Sequence, residues 1–554
     1  MRILILTHSF NSLTQRLHVE ISERGHDLSV EFDINDSVTA EAVSLFKPDV
    51  IVASYLRRAI PEEVWRNHLC LIVHPGIKGD RGPSALDWAI MDGEVEWGVT
   101  VLQAEAEMDA GPIWASIPFT MRDGTKSSLY RREATDAAVQ GVLLAIERLR
   151  EDSFIPEALD YEKPDVRGTW HPLMKPEDRA IDWSKDNTET VLRKIRAADG
   201  FPGVADELYG KAFALYDAHP EGTLRGTPGE VIGRRHEAIC RATRDGAIWI
   251  THLKPILDGE RSFKRPSSLT LGSELEAVPE IPESDLGITW REIWYEERGQ
   301  VGYLHFPFYN GAMSTPQCRR LEAAYRRACE RDTKAIVLMG GGDFWSNGLH
   351  LGAIEAAESP AEESWANINA MDDLCRAVIT TESHLTVAAL RGNAGAGGVF
   401  LALAADRVIA TPGVVLNPHY KNMGNLYGSE YWTYLLPRRV GQDGIPTVMG
   451  RRLPLGIRAA QEIGLIDGCL EAEDIGTYAD RLAGSPDYAD LLSAKIARRA
   501  DDEAEKPLEA YRAAELERMR FNFFGFDPSY HVARYNFIRK VPLSRTPRYL
   551  AVHR

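Results

Sequence analysis

The hydrophobic positions of the first 165 residues alternate between short apolar runs and longer amphipathic stretches. The runs RILILTH, DVIVASY and CLIVHPG have the length of buried strands, and segments with helical spacing separate them. Strands that alternate with helices in this way predict a parallel sheet with helical crossovers. Near the end of this region Val139, Leu143, Ile146 and Leu149 fall on one helical face, which predicts a helix packed on that sheet.

The pattern changes further along the chain. Residues 166–270 break into short strand-like pieces such as EVIGRR and AIWITHL, which predict a small β-rich domain. Residues 271–285 are polar and rich in Pro and Ser, so we expect a linker there. A second α/β domain is predicted over 286–475, with strands such as VGYLHF and AIVLMGG, and a helical C-terminal region over 476–554. The sequence therefore predicts an α/β multidomain protein.

Composition and charge narrow the classes of function. Of the 554 residues, 44% are hydrophobic and 26% are charged, which is ordinary for a globular protein. No run of about 18 apolar residues is present, so no membrane span is expected. The net charge of -17 argues against nucleic acid as the partner of the whole chain. The six cysteines form no Cys-x-x-Cys pair and no zinc spacing, and the N-terminus lacks the pattern of a signal peptide. We expect a cytoplasmic protein without a metal site.

The first stretch that carries chemistry is HPGIKGDRGPSALDWAIMDGEVEWGVTVLQAEAEMDAGPIWA, which begins at His74. His-Pro, an Arg-Gly loop, an apolar helix, Gly-Val-Thr and Asp-x-Gly-x-Ile follow one another in the order of the folate-dependent formyltransferases, which this stretch resembles. The later pieces IDW, IRAADGFPGVA and PGEVI resemble the small, OB-like C-terminal domain of that family. The resemblance implies a Rossmann-like formyltransferase domain that uses formyl-tetrahydrofolate, with His74 and Asp109 as catalytic residues.

The residue types of this motif suit formyl transfer. The reaction passes through a tetrahedral oxyanion, and an imidazole such as that of His74 can both donate a hydrogen bond to it and carry a proton. Asp109 would orient that imidazole and stabilise its charged form.

One position departs from the family pattern. Two residues before the histidine the family has an asparagine whose amide also binds the oxyanion, and this chain has Ile72. Losing such a donor lowers the rate by about a hundredfold or more. Three interpretations stay open: another group replaces the donor, the acceptor is a more reactive nucleophile such as a thiol, or the site binds folate without catalysis.

Residues 300–470 resemble the crotonase (enoyl-CoA hydratase/isomerase) superfamily. The matching segments are KAIVLMGGGDFWSNGLHLGAI, VAALRGNAGAGGVFLALAADRVIAT, LNPHYKNMGNLYGSEYWTYLLPRRVG and AAQEIGLID. In that family two backbone N–H groups polarise the carbonyl of a CoA thioester, and the motif assigns this oxyanion hole to Leu349 and Gly397. Glycines suit such a site because the backbone must approach the thioester closely.

The second resemblance also has a departure. The position of one hydratase glutamate is Phe400, so we do not expect ordinary hydration. Near the second family glutamate this chain has Tyr420, and the unusual run YGSEYW brings Glu430. We predict that Tyr420 and Glu430 face the thioester and are catalytic.

A formyltransferase half followed by a CoA-thioester half resembles, in order and over nearly the full chain, the NiFe-hydrogenase maturation factor family HypX/HoxX. The resemblance implies that the protein supplies the carbon monoxide ligand of the hydrogenase iron. Formyl would pass from formyl-tetrahydrofolate to CoA, and formyl-CoA would then be decarbonylated to CO and CoA. A dry passage would be needed to protect formyl-CoA from hydrolysis. The hydrogenase large subunit or its assembly proteins are the protein partners that this function suggests.

CoA carries several negative charges, which an acidic protein must meet with a local basic patch. Arg131 in LYRRE and the pair Arg545 and Arg548 in SRTPRYLAVHR are the candidates. Gln15 follows the strand-to-helix turn THSFNSLT, where we expect a cofactor anion to bind because helix N-termini attract negative charge.

Two other functions remain open from the sequence. One is an amine formyltransferase acting on a sugar or a tRNA and fused to an unrelated acyl-CoA enzyme, although Ile72 and Phe400 argue against it. The other is a non-catalytic carrier that binds folate or CoA and docks on the hydrogenase or its assembly proteins. Turnover by the purified protein distinguishes the carrier from an enzyme, and the formyl acceptor distinguishes the two enzymes.

Overall fold

A computed structural model describes residues 1–283 and 287–554 and divides them into two compact units. Unit 1 comprises Met1–Trp290 together with Pro542–Arg554, and unit 2 comprises Arg291–Val541. The last two residues of the predicted linker and the first residue of the predicted second α/β domain lie outside the described residues. The boundaries of the five predicted segments stay a prediction.

The first sheet of unit 1 is formed by the alternating pattern at the start of the chain. Its strands are β1 (Arg2–Thr7), β2 (Asp27–Phe32), β3 (Val50–Tyr55), β4 (Cys70–His74), β5 (Glu96–Gln103) and β6 (Ile113–Thr120). Its helices are α1 (Ser12–Glu23), α2 (Asp36–Phe46), α3 (Glu62–Trp65), α4 (Ala85–Asp92), α5 (Lys126–Leu129) and α6 (Thr135–Arg148), and a π-helical turn spans Tyr130–Ala134. The strand order is β2-β1-β3-β4-β5-β6. Strands β1 to β4 are parallel, which confirms the predicted α/β fold, whereas β5 is antiparallel to both of its neighbours.

The second sheet of unit 1 is antiparallel and small. It contains β7 (Val204–Leu208), β8 (Lys211–Glu221), β9 (Val231–Arg235), β10 (Ala238–Ala242), β11 (Ala247–Pro255) and β12 (Arg265–Pro266), together with helices α7 (Thr188–Ala198) and α8 (Ser267–Leu271). The strand order is β7-β8-β11-β10-β9, and β12 pairs with β11. Leu271 and Leu275, inside the predicted linker, are buried in the core of this sheet. The predicted β-rich domain is confirmed, and its packing continues to Leu275.

Unit 2 contains three sheets. Its strands are β13 (Trp294–Arg298), β14 (Val301–His305), β15 (Ala312–Met313), β16 (Ala335–Leu338), β17 (Phe344–Ser346), β18 (Gly348–Leu349), β19 (Leu385–Leu390), β20 (Asn393–Gly395), β21 (Arg407–Ala410), β22 (Val415–Asn417), β23 (Leu455–Gly456) and β24 (Gly468–Cys469). The sheet orders are β13-β14-β16-β19-β21-β24, β15-β18 and β17-β20-β22-β23. Strands β14, β16, β19, β21 and β24 are parallel to one another. This arrangement confirms the predicted second α/β domain.

The helices of unit 2 cover these sheets and extend to the C-terminal region. They are α9 (Thr315–Ala328), α10 (Leu351–Ala356), α11 (Pro360–Ile379), α12 (Gly397–Leu403), α13 (Trp432–Met449), α14 (Ile457–Glu462), α15 (Asp474–Ala483), α16 (Tyr488–Glu505), α17 (Leu508–Phe524) and α18 (Ser529–Ile538). The helical C-terminal region is therefore confirmed as far as Ile538. In the part of the chain that the structure describes, no helix has the length and apolar character to cross a membrane.

The last thirteen residues differ from the expected helix, because they belong to unit 1 and form no helix. They lie along β2, where Val30 N donates to Leu550 O at 3.0 Å and Phe32 N donates to Thr546 Oγ1 at 2.9 Å. The prolines of this segment cannot supply the N–H groups that a helix needs. This C-terminal tail is therefore part of the first α/β fold.

Two candidate active sites

Strand β4 ends at His74, which places this side chain at the carboxyl edge of the parallel sheet, where α/β proteins place their chemistry. The imidazole is buried. Its Nε2 lies 2.7 Å from Asp80 Oδ2, which is a hydrogen bond, and its Nδ1 lies 3.7 Å from Asp109 Oδ2, which is an ion-pair distance. Each ring nitrogen therefore faces a carboxylate.

The loops around the imidazole are shaped by two backbone constraints. A Cβ on Gly76 would overlap both the His74 ring and the Asp80 carboxylate, so the turn requires glycine. Asp109 has a positive φ of 55°, which is uncommon for a residue with a Cβ, and its Oδ2 accepts a hydrogen bond from Gly82 N at 3.2 Å. The Arg-Gly loop and the Asp-x-Gly turn of the motif are thereby joined at the histidine.

The two carboxylates determine the charge of the histidine. Burial on its own would lower the pKa of His74, but the hydrogen bond to Asp80 and the negative charge of Asp109 outweigh it and raise the pKa. Asp80 also accepts from His171 Nδ1 at 3.2 Å, and His171 stacks on Trp88. The site therefore favours an imidazolium that can stabilise negative charge and donate a proton.

Ile72 lies on β4 two residues before His74, as the sequence indicates. It pairs with Ala53 of β3 and Leu102 of β5, and its side chain packs on the apolar cluster beneath the sheet. An isoleucine supplies no side-chain hydrogen-bond donor, so oxyanion stabilisation from this position is absent.

The second candidate site lies where two glycine segments of unit 2 meet. Strand β18 carries Gly348 and Leu349, and helix α12 begins at Gly397. A Cβ on Gly348 would lie only 3.3 Å from Gly397 N, so the two segments are in direct contact. The N–H of Gly397 is in the first turn of its helix, where no helical acceptor exists. This proximity is what an oxyanion hole formed by Leu349 and Gly397 requires.

Tyr420 and Glu430 lie at the same place. The hydroxyl of Tyr420 donates to Glu430 Oε2 at 2.6 Å, and Ser429 N donates to that oxygen at 3.2 Å. The other carboxyl oxygen, Oε1, lies so close to Gly397 that a Cβ there would overlap it. The structure thus brings together three of the residues that the sequence nominated for this site.

Burial controls the acidity of this pair. Glu430 is 1% exposed, and burial together with the nearby Asp372 carboxylate raises its pKa to about 8 despite the hydrogen bond from Tyr420. Burial and the charge of Glu430 raise the pKa of Tyr420 well above its ordinary value, so the hydroxyl stays a donor. Phe400 stacks on the Tyr420 ring, with 5.6 Å between centroids. The aromatic ring of Phe400 therefore forms an apolar surface beside the Tyr420–Glu430 pair.

Family comparisons agree with this division of the chemistry. Residues 21–146 match the formyl transferase family, 173–265 match the formyl transferase C-terminal domain, and 304–524 match the enoyl-CoA hydratase/isomerase family. The hydrogenase maturation factor HoxX of Bradyrhizobium diazoefficiens is 53% identical over 559 aligned residues, which cover 100% of this chain and 97% of that protein. The chain belongs to the HypX/HoxX family of hydrogenase maturation factors.

Two further relatives show how much of this chain each kind of similarity covers. The crystal structure of HypX from Aquifex aeolicus in complex with tetrahydrofolic acid is 49% identical, with a TM-score of 0.96 over 100% of this chain and 99% of that one. Methionyl-tRNA formyltransferase of Geotalea uraniireducens is 28% identical and covers 40% of this chain and 69% of its own length. The HypX/HoxX likeness thus spans both units, whereas this formyltransferase matches only part of the chain.

The four predicted cofactor-binding residues, which include the three arginines predicted for CoA, all lie in unit 1 of this HypX/HoxX protein. Gln15 lies in the first turns of α1, and the side chain of Asn11, which caps α1, donates to Tyr130 OH at 3.3 Å, next to Arg131. Arg545 and Arg548 are exposed on the C-terminal tail. Helix α1 follows β1, and the tail contacts the last residue of β2, so these elements meet the carboxyl edge of one sheet. Their role in binding CoA stays a prediction.

Four residues of the two sites were not predicted from the sequence. In unit 1 these are Asp80, which lies within the recognised motif, and His171, which lies far along the chain from it. In unit 2 they are Asp372 of α11 and Glu515 of α17, whose carboxyl groups surround the Glu430 turn. The polar loop GDRG gives a sequence signal for Asp80, whereas no local pattern distinguishes the other three from surface or core residues.

Proposed function

We propose that this HypX/HoxX protein produces the carbon monoxide ligand of the NiFe-hydrogenase active site from formyl-tetrahydrofolate and CoA. Formyl is first transferred to the CoA thiol, and formyl-CoA is then cleaved to CO and CoA. The observation that carries the proposal is the Tyr420–Glu430 pair. Tyr420 donates to Oε2 of Glu430, and Oε1 lies against Gly397, one of the two residues predicted to form the oxyanion hole. The tetrahydrofolic acid in the Aquifex relative supports the use of a folate, and the maturation role of the Bradyrhizobium relative supports the hydrogenase as the destination of the product.

The first step belongs to His74. The CoA sulfur attacks the formyl carbon, a C–S bond forms, and the bond from that carbon to the folate nitrogen breaks. The imidazolium held by Asp80 and Asp109 stabilises the oxyanion and gives a proton to the leaving nitrogen, and the thiol proton of CoA restores it. A thiolate is a stronger nucleophile than an amine, which explains why a site with Ile72 in place of an amide donor can still react.

The second step belongs to Glu430. Its carboxylate takes the proton of the formyl carbon as the C–S bond breaks, CO leaves, and the CoA thiolate takes that proton back. Atoms and electrons balance without an oxidant or a reductant. The raised pKa makes this carboxylate a stronger base than an exposed one, and Tyr420 anchors Oε2 so that Oε1 faces the substrate. Phe400, which stacks on Tyr420, occupies the position that the resemblance assigns to a hydratase glutamate, so no carboxylate at this position activates water.

Formyl-CoA supplied directly to the purified protein tests this second step. We expect Glu430→Gln to reduce CO formation, captured by haemoglobin, by about a hundredfold or more, because it removes the proton-transfer group. The matched control is Glu382→Gln at an exposed glutamate of the same unit, which should leave the rate unchanged. Undiminished CO from the Glu430 variant would place the cleavage elsewhere.

A further inference from the structure

The turn that carries Glu430 has an unusual backbone. Glu430 and Tyr431 are consecutive residues with positive φ angles of 61° and 58°. This left-handed region is unfavourable for residues with a Cβ, and such conformations persist only where the surrounding structure fixes them. The groups that fix this turn therefore also determine where the Glu430 carboxyl points.

Two buried carboxyl groups from distant helices hold the turn. Asp372 of α11 accepts from Glu430 N at 2.8 Å, and Glu515 of α17 accepts from Tyr431 N at 3.0 Å and from Thr433 N at 2.8 Å. Neither carboxyl is exposed. Buried carboxylates are unfavourable unless they are bonded, and here the backbone N–H groups of the strained turn are their partners.

Ser429 joins the two carboxyl groups. Its Oγ lies 2.9 Å from Asp372 Oδ2 and 3.2 Å from Glu515 Oε2. A hydroxyl has one hydrogen to donate, so it can serve only one of two ionised carboxylates. The second contact is favourable only when one of the two carboxyl groups holds a proton and donates it to the serine oxygen.

We propose that Asp372 and Glu515, linked through Ser429, are positioning residues for the CO-forming step and hold the Glu430 carboxyl against Gly397. This inference rests on the proposed function of the same site. Asp372 and Glu515 are hydrogen-bonded to backbone N–H groups of the turn. They act through the backbone of the turn and through their charge.

The charges of Asp372 and Glu515 affect the pH range over which CO forms. The titratable groups that interact electrostatically with Glu430 are the two carboxyls, the Tyr420 hydroxyl, and the thiols of Cys318 and Cys375, and the Arg512 guanidinium lies 3.8 Å from Asp372. Burial raises the pKa of Asp372 to about 7 and that of Glu515 to about 8. Because Glu430 acts as a carboxylate, CO formation should rise with pH through its pKa of about 8. Removing a neighbouring carboxylate lowers that pKa and moves the rise to lower pH.

The test compares Asp372→Asn with Asp372→Ala in the full chain supplied with formyl-CoA. The asparagine keeps an oxygen that can accept from Glu430 N but cannot ionise, so we expect it to retain CO formation with the pH profile shifted to lower pH. The alanine loses the acceptor, so we expect kcat for CO to fall on the order of a hundredfold with KM unchanged. Because Asp372 lies in unit 2, thermal unfolding of each intact variant, followed by circular dichroism, serves as the control for folding.

Each outcome decides between the two proposals. Wild-type kcat in a folded Asp372→Ala, or a wild-type pH profile in Asp372→Asn, together with the loss of CO in Glu430→Gln, would overturn the positioning role and leave the proposed function intact. Normal CO formation in Glu430→Gln would overturn both. If Asp372→Ala does not fold, the profile of Asp372→Asn decides alone, and Glu515→Gln, which keeps an acceptor oxygen for Thr433 N, should shift the profile in the same direction.

Discussion

At the scale of single residues, the two sites differ in the charge of the side chain that is proposed to act. In the proposed mechanism His74 works as a charged imidazole, because Asp80 and Asp109 face its two ring nitrogens. Glu430 works as a base. Because burial raises its pKa, less of it is ionised near neutral pH, and the ionised form is a stronger base than an exposed carboxylate. Two carboxylates thus stabilise a cation in unit 1, whereas neighbouring carboxyl groups disfavour an anion in unit 2.

The pH dependence of formyl transfer follows from the raised pKa of His74. Activity that needs the imidazolium is present at low pH and is lost as pH rises through that pKa. Asp80→Asn removes the hydrogen-bonded charge and so lowers the pKa of His74. We therefore expect the release of tetrahydrofolate to fall, and its loss with rising pH to begin at a lower pH.

His74→Ala and Asp109→Asn should each abolish the release of tetrahydrofolate in folded protein.

The control for these variants is Asp152→Asn, at an exposed aspartate of the same unit, which should keep the wild-type rate and profile. A folded His74 or Asp109 variant that releases tetrahydrofolate normally would contradict the assigned roles.

Motif residues could be nominated from sequence because their spacing is local. His74 and Asp109 belong to one stretch, and Tyr420 and Glu430 to another, so the sequence could predict that each pair meets. Their partners could not be predicted in the same way. Asp372 and Glu515 reach the Glu430 turn only through packing of α11 and α17, and a carboxylate on a helix is usually solvated.

At the scale of elements, the period of the hydrophobic pattern predicted most of the fold. The alternation of strands and helices gave the parallel strands β1 to β4, because buried parallel strands read as continuous apolar runs. The reversed direction of β5, which is antiparallel to both β4 and β6, could not be read in the same way, since strand direction depends on the connection. The return of the C-terminal tail to unit 1 is a contact between the two ends of the chain, which no local pattern records.

The C-terminal tail should contribute strongly to the stability of unit 1. Glu31 is fully buried on β2, and its carboxylate lies 3.1 Å from His553 Nε2 and 2.9 Å from the guanidinium of Arg554, while Thr546 donates to it as well. Leaving a buried charge without its partners destabilises a protein by about 3–5 kcal/mol. Ending the chain at Val541 should therefore lower the melting temperature of unit 1 by several degrees in calorimetry.

The matched control is Arg545→Ala combined with Arg548→Ala, which alters exposed tail residues without touching Glu31. This variant should melt normally and, if the arginines contact CoA phosphates, bind CoA more weakly by titration calorimetry. An unchanged melting temperature after truncation would show that the tail is dispensable for unit 1.

At the scale of the whole molecule, the family likeness extends over both units, so a formyl transferase domain and an enoyl-CoA hydratase/isomerase-like domain belong to one chain. Formyl-CoA is the species that links the two proposed steps, and it is prone to hydrolysis. An amine formyltransferase would need no CoA site, and a carrier would release neither tetrahydrofolate nor CO. The identity of the formyl acceptor therefore distinguishes the three functions.

The most direct measurement follows an isotopically labelled formyl carbon from formyl-tetrahydrofolate in the intact protein. We predict labelled CO that requires CoA, no tetrahydrofolate release in His74→Ala, and accumulation of labelled formyl-CoA or formate in Glu430→Gln. Labelled CO formed without CoA, CO at the wild-type rate from Glu430→Gln, or tetrahydrofolate release without any CO from the wild-type protein would contradict the account.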